Sequence, residues 1–256
     1  MISHLQKNPA ADSIHWYSSD LLSIPHAMLC RCGGVSNNSF ATLNLSYGVG
    51  DDSDNVRVNR QQLKQSLGID YLVSAVQVHG DRVVIAEDIK QDTEFAEADS
   101  LITSEAGVGL LIQQADCQAV LLHDPEQRVI GAVHNGWRGS TLNILTKTVA
   151  AMKSYYGVNP ATLKAVISPS LGPCCAEFIN FQQELPKSFH ARQVSPFHFD
   201  FWAISRDQLR GAGLNDTKIE TAGICTVCNK DFFSYRRAVR QGSGVTGRNG
   251  SVIALS

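Results

Sequence analysis

The sequence predicts a mixed α and β fold in a single domain, and three observations carry that reading. A chain of 256 residues is about the upper size that one hydrophobic core supports. Short apolar runs bounded by glycine-rich turns alternate with stretches whose apolar residues recur at three- and four-residue steps, the period of a helix face. No internal repeat, low-complexity tract or Pro/Gly/Ser linker interrupts them. Residues 1–256 therefore read as one unit, with 1–24 set apart as a peripheral N-terminal segment.

In chain order, Pro25 to Cys32 reads as a strand entering the turn Cys32-Gly33-Gly34-Val35-Ser36. Asn55 to Leu67 reads as a helix, with Val56, Leu63 and Leu67 on one face and Gly68 as its stop. Three strand-like runs follow: Ser74 to Val78, which ends at His79-Gly80, then Arg82 to Ala86, then Gly109 to Gln114, which ends at Ala115-Asp116-Cys117. Val120 to His123 and Val129 to Val133 flank the turn Asp124-Pro125-Glu126-Gln127 as a hairpin, whose second strand ends at His134-Asn135-Gly136. Leu142, Leu145, Val149, Met152 and Tyr156 then predict an amphipathic helix over Ser140 to Tyr156, stopped by Gly157. Further on, a strand is expected over Lys164 to Ser168 and a helix over Phe201 to Ala212. The last strands are expected over Thr221 to Thr226, Phe232 to Tyr235 and Ser251 to Leu255.

Composition narrows the function classes. Lys and Arg number 22 against 24 Asp and Glu, so no broad basic surface exists to bind nucleic acid. No apolar run approaches the ~20 residues that span a bilayer, and Met1 to Pro9 lacks the layout of a signal peptide. With an odd count of seven cysteines, the chain reads as a cytoplasmic protein with thiols rather than a disulfide scaffold.

His79, Cys117 and His134 each terminate an apolar run, where active-site groups of mixed α/β folds gather. Together they form the His/Cys set of a catalytic zinc site, which keeps a fourth position for water or substrate. The competing reading makes Cys117 a small buried apolar residue and the histidines satisfied core or loop residues. Trp137 and Arg138 precede a predicted helix start, where a guanidinium and backbone N–H groups suit an oxyanion; equally, Arg138 could pair with a surface carboxylate. Arg31 beside Gly33-Gly34 reads either as an anion-binding nest or simply as a turn. Cys225-Thr226-Val227-Cys228 needs two further ligands to hold a structural zinc, and the adjacent pair Cys174-Cys175 is geometrically poor for supplying them. Paired carboxylates, a Walker loop, a nucleophile elbow and a dinucleotide fingerprint are all lacking.

Several motifs stand in a familiar order: Arg31-Cys32-Gly33-Gly34-Val35-Ser36, Leu43-Asn44-Leu45, Gln77-Val78-His79-Gly80, Ala115-Asp116-Cys117, His134-Asn135-Gly136-Trp137-Arg138-Gly139, Leu171-Gly172-Pro173-Cys174-Cys175 and Phe232-Phe233-Ser234-Tyr235-Arg236-Arg237. From about Pro25 to the C-terminus the chain resembles the bacterial laccase-domain or polyphenol oxidase family, also called multifunctional purine nucleoside phosphorylases. The resemblance implies an α+β fold, a layered α/β/β/α sandwich with mixed β-sheets of the CNF1/YfiH-like kind. It also implies zinc held by His79, Cys117 and His134, with copper as an ion acquired in vitro. Phosphorolysis of adenosine, inosine and methylthioadenosine, adenosine deamination and a link to peptidoglycan precursor editing are implied as well. Asn135 stands where many relatives have alanine, and Ala238 where an acidic residue often follows the paired arginines; both departures bear on fine specificity.

On this reading the partners are a purine nucleoside and phosphate, and nothing in the sequence specifies an oligomer. Asp116 is the candidate acid for deamination by its position beside Cys117, though a strand-end carboxylate bonded to backbone fits it as well. Arg31, Asn44 and Arg138 are the candidate phosphate donors. The first competitor is a copper-dependent polyphenol oxidoreductase. A multicopper cluster takes about ten histidines, several in His-x-His pairs, and this chain has eight and no such pair. The others are a cell-wall precursor amidase with Cys117 as nucleophile and a non-enzymatic binding module built on a closed zinc site.

Overall fold

The computed structural model describes residues 13–255. The stretch Met1 to Pro9, on which the expectation about a signal peptide rests, lies outside the described residues. The elements in chain order are β1 (Trp16–Tyr17), β2 (His26–Leu29), α1 (Ser53–Leu67), β3 (Tyr71–Ala75), β4 (Val83–Ile85), β5 (Thr93–Phe95), β6 (Ser100–Thr103), β7 (Val108–Gln114), β8 (Gln118–Asp124) and β9 (Val129–Asn135). They continue with α2 (Trp137–Thr141), α3 (Ile144–Tyr156), β10 (Lys164–Ile167), α4 (Phe181–Glu184), β11 (Gln193–Ser195), β12 (His198–Phe199), α5 (Phe201–Gly211), β13 (Ile219–Thr221), α6 (Tyr235–Arg240) and β14 (Asn249–Ala254).

Two mixed six-stranded sheets result, ordered β1-β2-β14-β7-β3-β5 and β13-β10-β8-β9-β6-β4. Strands β7, β8 and β9 are buried along their whole length, and their middles are accordingly apolar on both faces, with polar residues kept to the ends. Alternation then sorts the side chains into layers. Leu110 and Ile112 of the first sheet meet Ala119, Leu121, Ile130 and Ala132 of the second in the core between the sheets. Leu111 and Val252 turn outward to Leu63 of α1, while Val120, Leu122 and Val133 turn outward to Leu145, Val149 and Met152 of α3 and Leu209 of α5. The layering is α/β/β/α, as the sequence resemblance implies.

Locally specified elements appear where expected. The Asp52 carboxylate accepts from the Asp54 N–H at the start of α1 and Gly68 ends it at φ 64°, the backbone conformation that glycine adopts without penalty. The β8/β9 hairpin pairs His123 with Ile130 and Val120 with Val133. Several expectations differ, among them the strand expected over Thr221 to Thr226, which is β13 over Ile219–Thr221. The helix predicted from Ser140 is two helices, because Asn143 sits at φ 59° between α2 and α3. The strand expected over Phe232 to Tyr235 gives way to α6, whose first turn is fixed by the Ser234 hydroxyl accepting from Arg237 N. The described part of the 1–24 segment is integral to the fold: β1 pairs with β2, and Ile14 and Leu22 are buried.

Candidate active site

The chain passes from the first sheet to the second three times, after β3, between β5 and β6, and between β7 and β8. His79 lies on the first of these crossings, Asp99 on the second and Cys117 on the third, while His134 occupies the end of β9. The mouth of the sandwich thus gathers residues that are far apart in sequence. One ligand atom from each of the three lies within 4.8 Å of the others, with Cys117 Sγ 3.8 Å from His79 Nε2. Burial is graded from His134, which is enclosed, through Cys117 to His79, which faces solvent.

Asp99, which sequence reasoning missed, organises this cluster. Its buried carboxylate accepts from the backbone N–H groups of Val78 at 3.2 Å, His79 at 2.9 Å and Gly80 at 2.7 Å. Those bonds hold His79 at φ 58°, a left-handed conformation that costs of order 1 kcal/mol in a non-glycine residue. The same carboxylate lies 2.7 Å from His134 Nδ1. A proton on Nδ1 is thereby fixed, and Nε2 is left to face Cys117. Burial favours the neutral acid, yet the bonds from His134 and the backbone hold Asp99 below the usual carboxylate range. Its only mark in the sequence is an acidic residue directly ahead of the apolar run Leu101-Ile102.

The ligand candidates shift one another. Burial alone would push the Cys117 thiol up, but the charge and hydrogen bond of His134, with those of His79, bring it down to about 6. Burial likewise opposes a charged His134, whereas the Cys117 thiolate and Asp99 raise it to about 9. Each of the two groups thus favours the ionised form of the other.

The residues fit a tetrahedral metal. Zinc at ~2.3 Å from sulfur and ~2.05 Å from nitrogen separates those two atoms by about 3.6 Å, close to the 3.8 Å between Cys117 and His79. Gly136 leaves the cradle open, since a Cβ there would stand 3.0 Å from Cys117 Sγ and 3.1 Å from His79 Cδ2. Two histidines and one cysteine leave a four-coordinate ion one position for water or substrate.

The cluster opens into a cleft of about 1070 Å³ lined by Trp137, Phe178, Phe201 and Tyr235 along one wall and by Arg236, Arg240 and Arg248 among its polar groups. Trp137 and Phe178 pack edge to face, and Phe178 continues into the buried group of Phe189, Phe199 and Phe201. Arg248 Nη1 donates to the carbonyls of Thr246 at 2.8 Å and Gly247 at 3.2 Å. Burial lowers its pKa, while Cys117, Asp116 and Tyr235 act in the opposite sense, which places this guanidinium in the field of the cluster. The sequence pass singled out neither Arg248 nor Phe178, and only the folded C-terminal loop brings Arg248 here.

The sequence-derived site residues divide. The structure brings His79, Cys117, His134 and Asp116 to the cleft. Asp116, at φ 87°, accepts from Thr226 Oγ1 on Oδ1 and from Arg236 N on Oδ2, both at 2.7 Å. It therefore ties the crossing between sheets to α6, the backbone-bonded alternative of the sequence reading. Arg31, Asn44 and Arg138 are not among the cleft residues. Arg31 spends Nε and Nη2 on the Ala41 carbonyl, at 2.8 and 2.6 Å, and its guanidinium lies 4.5 Å from the Phe233 ring centre. Asn44 is fully buried; its amide donates to Ser46 O and Asp51 Oδ2 and accepts from Ser46 N and Arg248 N. Arg138 is exposed and leans on the ring of Trp137. Their expected role as phosphate donors thus has no support from the cleft lining in this structure.

The profile of the family described as multi-copper polyphenol oxidoreductase laccase matches residues 25–256. The chain belongs to this family. Relatives of this laccase-domain chain include the purine nucleoside phosphorylase of Deinococcus radiodurans, 37% identical over 91% of this chain and 90% of that one. Another is the purine nucleoside phosphorylase of Bacteroides thetaiotaomicron, 31% identical over 86% and 88%. Among solved structures, the hypothetical protein YfiH of Bacillus licheniformis superimposes with a TM-score of 0.85 at 28% identity, covering 98% of this chain and 100% of that one. YlmD of Geobacillus stearothermophilus does so with 0.85 at 27% identity, covering 98% of each. Among the described residues, no helix is long and apolar enough to cross a membrane.

Proposed function

We propose that this chain is a zinc-dependent purine nucleoside phosphorylase of the cytoplasm, acting on adenosine, inosine and methylthioadenosine. The observation that carries the reading is the three-donor cluster of His79, Cys117 and His134 in the lining of a cleft with room for a nucleoside and phosphate, in a chain whose relatives bear the phosphorylase name. When bound, zinc supplies Lewis-acid polarisation of an oxygen and activation of water at neutral pH. In phosphorolysis a phosphate oxygen bonds to C1′ of the ribose as the bond from C1′ to the purine nitrogen breaks, and the departing base takes up a proton. Arg248 is the residue we assign to phosphate, because its Nε and Nη2 have no partner among the described residues while Nη1 is anchored to backbone. Trp137, Phe178 and Tyr235 offer the purine ring an aromatic wall. Asp116 is assigned to holding the crossing, since both its oxygens are engaged.

The same cluster, with one coordination position left for water, supports adenosine deamination to inosine and ammonia as a second activity. The family description favours copper and phenols instead, but of the eight histidines only His79 and His134 fall within a potential metal group among the described residues. The lowered Cys117 thiol also suits a nucleophile in a cell-wall amidase. A screen of purified protein against the three nucleosides, with and without phosphate, separates these readings. Base release that needs phosphate and stops on chelation is the expected result. Amide hydrolysis that survives chelation and is stopped by thiol alkylation would replace the phosphorylase reading with the amidase.

A further inference from the structure

Four cysteines that phosphorolysis does not use converge from two loops whose neighbours Leu171, Glu177 and Arg236 line the cleft. The sulfurs of Cys174, Cys175, Cys225 and Cys228 lie within 4.8 Å of one another. Cys228 Sγ is 3.7 Å from Cys174 Sγ and 3.6 Å from Cys175 Sγ. Four sulfurs at ~2.3 Å from a tetrahedral zinc stand about 3.8 Å apart, whereas a disulfide needs ~2.05 Å. None of the four forms a disulfide.

The backbone explains why an adjacent pair can serve, contrary to the sequence expectation. In a strand, Cys174 and Cys175 would point to opposite faces. Here Gly172 O accepts from both Cys175 N and Ala176 N, at 2.9 and 3.0 Å, and this tight turn carries both sulfurs to one side. Ser170 and Cys225 form a β-bridge, and Asn229 N closes the Cys225 to Cys228 turn on Cys225 O at 2.9 Å. The Cys225 sulfur is met by backbone N–H groups of Cys228, Gly172 and Val227. Gly172 is required for this approach: a Cβ there would stand 2.8 Å from the Trp202 ring and 3.0 Å from Cys225 Cβ.

We propose that Cys174, Cys175, Cys225 and Cys228 hold a second, structural Zn²⁺ in an all-sulfur tetrahedral site that clamps the loop around 170–178 to the loop around 225–237. Four thiolates and one Zn²⁺ leave two negative charges, and two guanidinium groups stand beside them. Arg236 Nη1 donates to Cys175 O, and Arg237 Nη1 to Thr226 O and Val227 O. The clamp reaches the catalytic cluster through Asp116, whose carbonyl accepts from Leu171 N at 2.8 Å and whose carboxylate accepts from Thr226 Oγ1 and Arg236 N. Its four protein ligands fill the coordination sphere, so it binds no substrate.

Elemental analysis of protein purified under reducing conditions without added metal tests the site. Wild type is expected to carry two zinc ions per chain. The Cys117→Ala/His134→Ala double variant is expected to keep one, and Cys228→Ser to keep the other. Cobalt substitution of the double variant gives a spectral readout that does not depend on activity, with the strong charge-transfer and d–d absorption of a tetrahedral tetrathiolate. Absence of zinc from the double variant, iron in its place, or a native disulfide among the four cysteines would overturn the proposal, even where Cys228→Ser fails to fold. Loss of zinc from wild type at the His79 cluster alone would leave one ion per chain in both wild type and double variant. That pattern counts against the phosphorylase metal and not against this one.

Discussion

The two thiol-bearing clusters differ in donor set, donor number and placement, the features that separate an open metal site from a closed one. His79, Cys117 and His134 supply mixed nitrogen and sulfur donors, three in number, at the open end of the sandwich. The four cysteines supply sulfur alone, four in number, from two loops. A buried carboxylate, Asp99, orients the first cluster through four hydrogen bonds, and left-handed backbone at His79 and Asp116 places conformational strain there. Turn hydrogen bonds, a close-packed glycine and the guanidinium groups of Arg236 and Arg237 frame the second. Left-handed backbone and a buried carboxylate are found at the cluster whose proposed ion must remain available to a ligand, and ordinary turns at the one whose proposed ion only has to stay.

The largest effect that would break this contrast is expected from Cys117→Ala. Losing a ligand should cost more than the 10- to 100-fold typical of an outer hydrogen-bond partner. Nucleoside phosphorolysis should therefore fall by more than about 100-fold, with zinc at the four-cysteine site unchanged by elemental analysis. Asp99→Asn removes the charge but keeps the shape, and is expected to lower zinc affinity or kcat by about 10- to 100-fold, measured by chelator competition and steady-state kinetics.

A pair of arginine variants sharpens the comparison on the substrate side. Arg248→Ala should raise the KM for phosphate by roughly 10- to 100-fold, the equivalent of about 1.5–3 kcal/mol for a hydrogen bond to a charged group. Arg138→Ala should leave it unchanged, because that side chain is outside the cleft. Equal effects in the two variants would remove the assignment of Arg248.

The smallest effect is in protons. In the metal-free protein the raised His134 contributes stability that is complete below its ordinary value near 6.5 and lost as pH rises through about 9. The lowered Cys117 contributes stability that is complete above its ordinary value near 9 and lost as pH falls through about 6. Between those limits, of this pair, His134 is the one that carries a proton that must leave when zinc binds. Calorimetry in buffers of different ionisation enthalpy should find about one proton released per zinc at this site near pH 7.5, with affinity rising about tenfold per pH unit. The Cys228→Ser variant isolates the signal.

How much of this was legible in the sequence follows the range of the forces involved. Asp52 and Gly68 bound α1 through contacts within a few residues, and the helix read correctly to within two residues at its start and at its last residue. The three metal-ligand candidates were legible because each ends an apolar run and falls in a recognisable motif. Asp99 was not, because its role exists only where the chain from Val78 to Gly80 meets the end of β9. Arg31 and Asn44 look like anion donors in the sequence, and the fold commits both to neighbouring loops. Cys174 and Cys175 were misjudged because extended geometry was assumed for a segment that turns on Gly172.

The central claim is that the His79, Cys117 and His134 cluster works on nucleosides with zinc. The most direct measurement reconstitutes chelator-stripped protein with zinc or with copper and assays nucleoside phosphorolysis and phenol oxidation on the same samples. The account predicts that zinc restores phosphate-dependent base release in wild type and not in Cys117→Ala. Copper restoring phenol oxidation, while zinc restores no base release, would contradict it.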